Sequence, residues 1–458
     1  MTQSWQPVNP VERRFAAAHD DWLSFAQQRD ARLLYWQTDR ADGQLVRAYF
    51  QAQRQTSSAV LELRSAFEHG DRYAMALADE IVGFYMRRVD GSRANDIIAD
   101  WMPPSREKAE SASRYLLRLL HSLMQHHPEV FPGLVLLLMP KRGFADDALE
   151  RWLEVLLQEL EYGPWRPERV RIVLYGTAEE PLPWLRTQRP QQVKVIRGRY
   201  QMKALPRELL AESGERGPSG QFRRLFIELT ETLEDADPAR LERVRTAALQ
   251  VSAAQRWFDQ SAVVHLLAGA AYLKQSLHGE ALASYQQATG AARDALAAAH
   301  PAGGKLVING LFGEAGVHWL QQHYAAAARC YAEAAHYAHA ECDGILAVEA
   351  SRMQASCLAK NHEREQALTA GFDALRAGQW IEPAWRTHSN LRWAAQWMLE
   401  HVPYTHERRA ELNEWLAALY GENWPEAMES TEATEAIQPL QADEVSPRLP
   451  EDRAKGGV

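Results

Sequence analysis

Sixteen histidines and three cysteines are the residues of this 458-residue chain best suited to bind metal or act as nucleophiles. Glu333 and His336 stand three apart, the ExxH arrangement that puts a carboxylate and an imidazole on one helix face, with His339 and Glu341 following. A two-metal bundle site needs a second ExxH on a facing helix, and the nearby pair, Glu314 and His318, has the wrong spacing. These groups therefore read as surface or groove-lining side chains, and no metal site is expected. His126 and His127 close a helix ahead of Pro128, where an imidazole suits the negative helix end. Cys330, Cys342 and Cys357 form neither a CxxC pair nor an even-numbered framework, and read as reduced thiols. The serine in GPSGQ, residues 217–221, lacks the preceding strand of a nucleophile elbow. No catalytic residue and no cofactor are expected, so the chain reads as a non-enzyme.

Composition bounds the remaining classes. A chain that is 46% hydrophobic and 24% charged, at this length, is expected to form two folded domains of a globular protein. Its net charge of −9, with basic residues scattered, argues against a nucleic-acid partner, which would need a basic stripe or cluster. The start MTQSWQPVNPVERRF has no basic stretch followed by an apolar run, and the longest apolar stretch, residues 134–139, is far too short to span a bilayer. A cytoplasmic protein without membrane insertion is expected.

The elements that must position any site fall into two halves. After a helix over residues 10–29, short apolar runs alternate with helices. Strands are expected at 32–37, 59–64, 133–139, 170–175 and 192–196, and helices at 44–53, 73–89, 107–126 and 146–161. Strands separated by helices of this length predict an α/β domain over 31–210 with a mainly parallel sheet buried on both faces. Residues 211–221, AESGERGPSGQ, read as a linker or loop. Helices follow over 222–426, with breaks at 300–304, 343–344 and 382–383, and aromatic-rich end helices at 388–401 and 406–420. The Glu-, Ala-, Thr- and Pro-rich tail 427–458 is expected to be disordered and acidic.

Within the helical half, residues 263–288 read as two amphipathic helices hinged at Gly279. The series Gly269, Tyr272, Ala281, Tyr285 and Ala288 resembles the tetratricopeptide repeat signature of small and aromatic residues. Ala315, His318, Ala327, Tyr331 and Ala334 form a second copy, and Ala355, Leu358, Ala367, Gly371 and Ala374 a third. The copies start 46 and 40 residues apart, longer than the family's 34, so turns or helices must be extended. The resemblance implies an all-α solenoid that binds a protein through the first helix of each repeat. Carried over by position, the candidate contacts include Lys274 in the first copy, Asn309, Phe312 and Trp319 in the second, and Glu349, Arg352 and Lys360 in the third. Phe312 and Trp319 read equally well as core, and Glu349 with Arg352 as a surface ion pair.

The strand, loop and helix of LLYWQTDRADGQLVRAYF resemble the start of a P-loop NTPase of the AAA or STAND type, a resemblance that covers residues 31–210 by element order. Aligned with the phosphate-binding motif, the segment reads Thr38, Asp39 to Asp42, Gly43, Gln44, Leu45. Gln44 lacks the lysine's charge, Leu45 lacks the magnesium-binding hydroxyl, and Asp39 and Asp42 add negative charge where phosphates would sit. The strand at 134–138 runs into Met139, Pro140 and Lys141, without a magnesium carboxylate. Thr177 falls where the family senses the γ-phosphate. The resemblance implies a degenerate, nucleotide-free P-loop-like domain; an unrelated α/β domain sharing the element order is the alternative.

Together these readings predict a non-catalytic, bacterial-type cytoplasmic adaptor or chaperone that binds a protein partner. Two-part scaffolds of this kind are similar to regulators and to accessory proteins that load effectors into secretion machines. The alternatives are a nucleotide-operated STAND-type switch and a self-assembling structural scaffold.

Overall fold

The structure, a computed structural model, describes residues 7–53, 59–86, 99–131, 133–140, 147–165, 169–179, 181–233 and 237–425. The tail expected at 427–458, the last three residues of the helix expected at 73–89, and Lys141 lie outside them. The chain divides into two compact units, Met1–Ser213 and Gly214–Val458.

The first unit is an α/β domain on a five-stranded parallel sheet of order β2-β3-β4-β1-β5. Its strands are β1 (Leu33–Gln37), β2 (Ala59–Leu63), β3 (Leu134–Leu138), β4 (Val170–Gly176) and β5 (Val193–Arg197), each within a residue of the expected bounds. The side-chain period of two sorts them to both faces. Leu33, Tyr35, Leu61, Leu63, Leu134, Leu136, Ile172 and Leu174 enter one core, with α3 (Gly70–Met86), α4 (Ala112–His126), α5 (Asp147–Tyr162) and the short α6 (Pro183–Gln188). Leu34, Trp36, Val60, Val135, Leu137 and Val173 enter the other, with α1 (Pro10–Ala26) and α2 (Arg40–Gln53). Burial on both faces is why the strands read as unbroken apolar runs rather than alternating ones.

Residues 211–221, expected as a linker or loop, are helical except at 214–216. They end α7 (Leu205–Ser213) and begin α8 (Gly217–Thr232). Pro218 falls in the first turn of α8, where its missing N–H costs no helix bond.

Among the described residues the regular elements of the second unit are all helices. After α8 come α9 (Pro238–Ala254), α10 (Phe258–Lys274), α11 (His278–Ala297), α12 (Gly303–Leu320), α13 (Tyr324–Ala340), α14 (Gly344–Lys360) and α15 (Arg364–Ala377). The short α16 (Pro383–Arg386), α17 (Leu391–His401) and α18 (Arg409–Tyr420) follow. From α8 to α15 each helix packs on the next, and α10 also packs on α12, so the hairpins form a stacked solenoid. Of the small, aromatic and apolar positions picked out in three copies, all are buried except His318, which is half-buried. The Tyr285 ring fits between two glycines: a Cβ on Gly269 would meet it at 2.9 Å, and one on Gly313 at 2.2 Å.

The hinge expected at Gly279 lies instead at Ser276, and Gly279 is inside α11. Ser276 has φ 61°, donates its N–H to Leu273 O, and is followed by a Leu277 N–H bond to Tyr272 O. This paired 5→2 and 6→1 closure is a Schellman motif. The same pair recurs with left-handed Arg256, Ala299, Gln322, Cys342 and His362. The turns are thus short, and the long repeat comes from helices of 17 to 20 residues in α10 to α14.

Candidate functional site

In an open parallel sheet, ligands sit outside the carboxyl ends of the strands, where neighbouring connections leave to opposite faces. Here α2, after β1, covers one face and α6, after β4, covers the other. A cleft of about 620 Å³ lies at that point, lined by Gln37, Thr38 and Asp39 from the end of β1, Asp42 from α2, Thr177 and Glu179 after β4, and Arg197 to Arg199 at the end of β5.

The expected phosphate loop is not a loop. Only Thr38 and Asp39 separate β1 from α2, because α2 starts at Arg40 rather than at Gln44. Asp39 caps that start: its Oδ1 accepts the Asp42 N–H at 2.7 Å, and its carbonyl accepts Gly43 N–H at 2.9 Å. A chain carboxylate therefore holds an amide of the first helical turn, where an anion would be bound. Thr38 and Gly43 are buried, Gln44 is exposed, and Leu45 is in the core at 2% exposure.

Asp42 is also occupied. Its two carboxylate oxygens accept the backbone N–H groups of Tyr200 and Met202 at 2.9 and 2.8 Å. The Tyr200 hydroxyl donates to Asp21 at 2.6 Å and accepts from the Trp36 indole at 2.8 Å. Burial, reinforced by the Asp21 carboxylate, holds that phenol protonated. Arg14 donates to the Tyr200 and Gln201 carbonyls and pairs with Glu208. This buried network ties α1, β1, α2 and the segment after β5 together, and sequence reasoning missed it. Its members lie up to 194 positions apart, and no local pattern joins them. The N-cap was findable, since an aspartate just before a helix is a standard start signal.

At the end of β3, Met139 donates its N–H to Leu63 O, and Pro140 is buried. Thr177 is exposed at the end of β4. Arg197 and Arg199 are exposed on either side of Gly198, where a Cβ would lie 2.8 Å from the Trp36 indole nitrogen and 2.6 Å from the Tyr200 ring.

In the helical unit the candidate contacts separate into distinct settings. Lys274 donates to the Leu233 carbonyl just past the end of α8. Asn309 is exposed. Phe312 is half-buried against Tyr331, ring centroids 5.7 Å apart, so it packs on the second helix of its own hairpin rather than forming an open platform with Trp319. Trp319 stands edge-on to Tyr324, and the exposed Lys360 ammonium lies 5.3 Å and 5.6 Å from these two rings, uniting α12, α13 and α14 in one surface cluster. Glu349 and Arg352 form a bidentate pair at 2.6 and 3.0 Å, and Asn390 binds Glu349 from the segment before α17.

In the helical unit the acidic, histidine and cysteine side chains are engaged by their neighbours. Glu333 pairs with Arg293 and Glu314 accepts from Thr289 at 2.6 Å, its carboxyl raised above the usual range by burial. His339 packs edge-on to Trp380. Burial pushes the Cys330 thiol up to about 11 and the Cys357 thiol up to about 12. Among the described residues, no helix is long and apolar enough to cross a membrane.

The fold and site define a chain with an α/β unit on a parallel sheet and a unit of stacked helical hairpins. No family model matches it, and no curated protein matches it. Among solved structures, a STAND protein (signal transduction ATPase with numerous domains) with a tetratricopeptide repeat sensor, from Pyrococcus horikoshii, aligns over 87% of this chain and 88% of its own. The identity is 9% and the TM-score 0.22, a likeness too small to carry fold or function across.

Proposed function

We propose that this chain is a non-catalytic, cytoplasmic protein-binding adaptor or chaperone, with a tetratricopeptide-like array as its capture surface and a P-loop-like domain that has lost nucleotide chemistry. The observation that carries the reading is the continuous stack of hairpins, whose Trp319, Tyr324 and Lys360 come from three successive helices to one surface. The second part is supported by the start of α2, where Asp39 and Asp42 take up backbone amides with their own carboxylates. Anionic phosphate at that place would meet two carboxylates and no lysine. Loading of effectors into a bacterial secretion machine is the more specific form of the proposal.

The test has two arms on the full chain. Affinity capture from the native host, read by mass spectrometry, should retain a stoichiometric protein that is lost when Asn309→Ala and Lys360→Glu are combined with the melting temperature unchanged. Retention unaffected by that pair sinks the capture surface. Calorimetric titration with ATP and GTP plus magnesium should give no heat of binding. A micromolar, magnesium-dependent signal would instead support the nucleotide-operated switch, and self-association with no other partner the structural scaffold.

A further inference from the structure

His126 is the last residue of α4 and His127 caps its end, and the stretch that precedes α4 passes beside them at Asp100. His126 Nε2 and Asp100 Oδ1 are 2.6 Å apart, the two imidazoles meet edge-on with centroids 4.6 Å apart, and one ligand atom of each of the three residues lies within 4.8 Å of the others.

The surroundings hold this group in place. Trp101, next to Asp100, is 2% exposed, packs its ring 5.0 Å from that of Tyr85 on α3, and donates its indole N–H to Ser122 on α4. The Tyr85 hydroxyl accepts the Trp101 backbone N–H at 3.0 Å and lies 2.9 Å from His127 Nε2. One phenol thus anchors both the backbone beside Asp100 and the ring of His127. In the tautomer that donates Nε2–H to that oxygen, His127 keeps the lone pair of Nδ1 for a metal ion. An outer hydrogen bond of this kind is what orients a metal-binding imidazole. The Glu129 carboxylate, 3.9 Å from the same Nδ1, adds negative charge.

We propose that Asp100, His126 and His127 form a binding site for a divalent transition-metal ion, with zinc as the natural occupant. Two imidazoles and one carboxylate suit zinc and its neighbours, whereas magnesium and calcium call for oxygen ligands. Metal–ligand bonds of roughly 2.0–2.1 Å place tetrahedral ligand atoms about 3.3 Å apart. Reaching that spacing takes small movements of the exposed Asp100 and His126 side chains while the buried His127 stays fixed. The ion takes the place of the hydrogen between Asp100 and His126 Nε2, the neutral imidazole then carrying its proton on Nδ1. Three protein ligands leave the fourth position to water. The ion would pin residues 99–101 to the end of α4.

The test uses the full chain without an affinity tag, stripped with a chelator. Titration with cobalt(II) should give visible bands of a tetrahedral site at one ion per chain, which zinc then abolishes, and zinc should raise the melting temperature. Asp100→Asn and His126→Ala, both exposed positions, should each weaken zinc by roughly tenfold or more and erase the thermal shift. His336→Ala, an exposed histidine in the helical unit, should leave both unchanged. Absence of stoichiometric binding overturns the proposal, as does binding that survives both cluster variants or is lost in His336→Ala.

Discussion

His265 on α10 shows how one half-buried residue ties stability to pH. Burial, with Arg245 as the next contributor, depresses its pKa from 6.5 to about 4, and its Nδ1 has no hydrogen-bond partner. The unfolded chain therefore binds a proton between pH 6.5 and 4 that the folded chain refuses. The neutral ring's contribution is fully present above pH 6.5 and is lost as pH falls through about 4. Melting temperatures measured across that window should fall less steeply for His265→Gln than for the parent, and parallel curves would show that His265 does not carry the dependence. At the same scale, sequence spacing located Glu349 with Arg352 as an ion pair, because an i, i+3 pair is a local geometry. The Arg14–Tyr200–Asp42 network was invisible, since Asp42 read as part of a phosphate motif and no spacing links it to Tyr200 or Arg14.

Among the described residues, six hairpin turns close on left-handed residues, none of them glycine. An L residue there costs about 1–2 kcal/mol in backbone sterics, which glycine relieves while adding unfolded-state entropy of about 0.4–1 kcal/mol. Ala299→Gly should therefore stabilise the chain by about 0.5–1 kcal/mol, read as a higher denaturation midpoint with an unchanged slope. A lower midpoint would mean that the Ala299 methyl makes packing the turn needs. The same feature explains why the hinge expected at Gly279 is wrong. Glycine is the usual sign of such a turn, and here Ser276 takes the strained conformation because the flanking helices impose it. The strands were legible to within a residue because burial on two faces forces unbroken apolar runs. The start of α2 was misjudged by four residues, since alignment to a phosphate motif outweighed the capping signal of Asp39.

At the scale of the molecule, the cores of the two units are assembled from different stretches of chain, and those of the helical unit come entirely from residues after 214. Residues 214–425 alone should therefore give a cooperative thermal melt and a fully helical circular dichroism spectrum; a broad, non-cooperative transition would contradict an autonomous core. What the sequence by itself determined is the order and type of elements and the division into α/β and helical halves, because both follow from local periodicity: unbroken runs for doubly buried strands, three-to-four spacing for stacked helices. Only the tertiary structure decided where the carboxylates of Asp39 and Asp42 go, that Phe312 is packed while Lys360 lies over Trp319, and that Asp100 stands beside His126 and His127. Each of these depends on residues distant in sequence meeting in space, and a single chain carries no local signal for that.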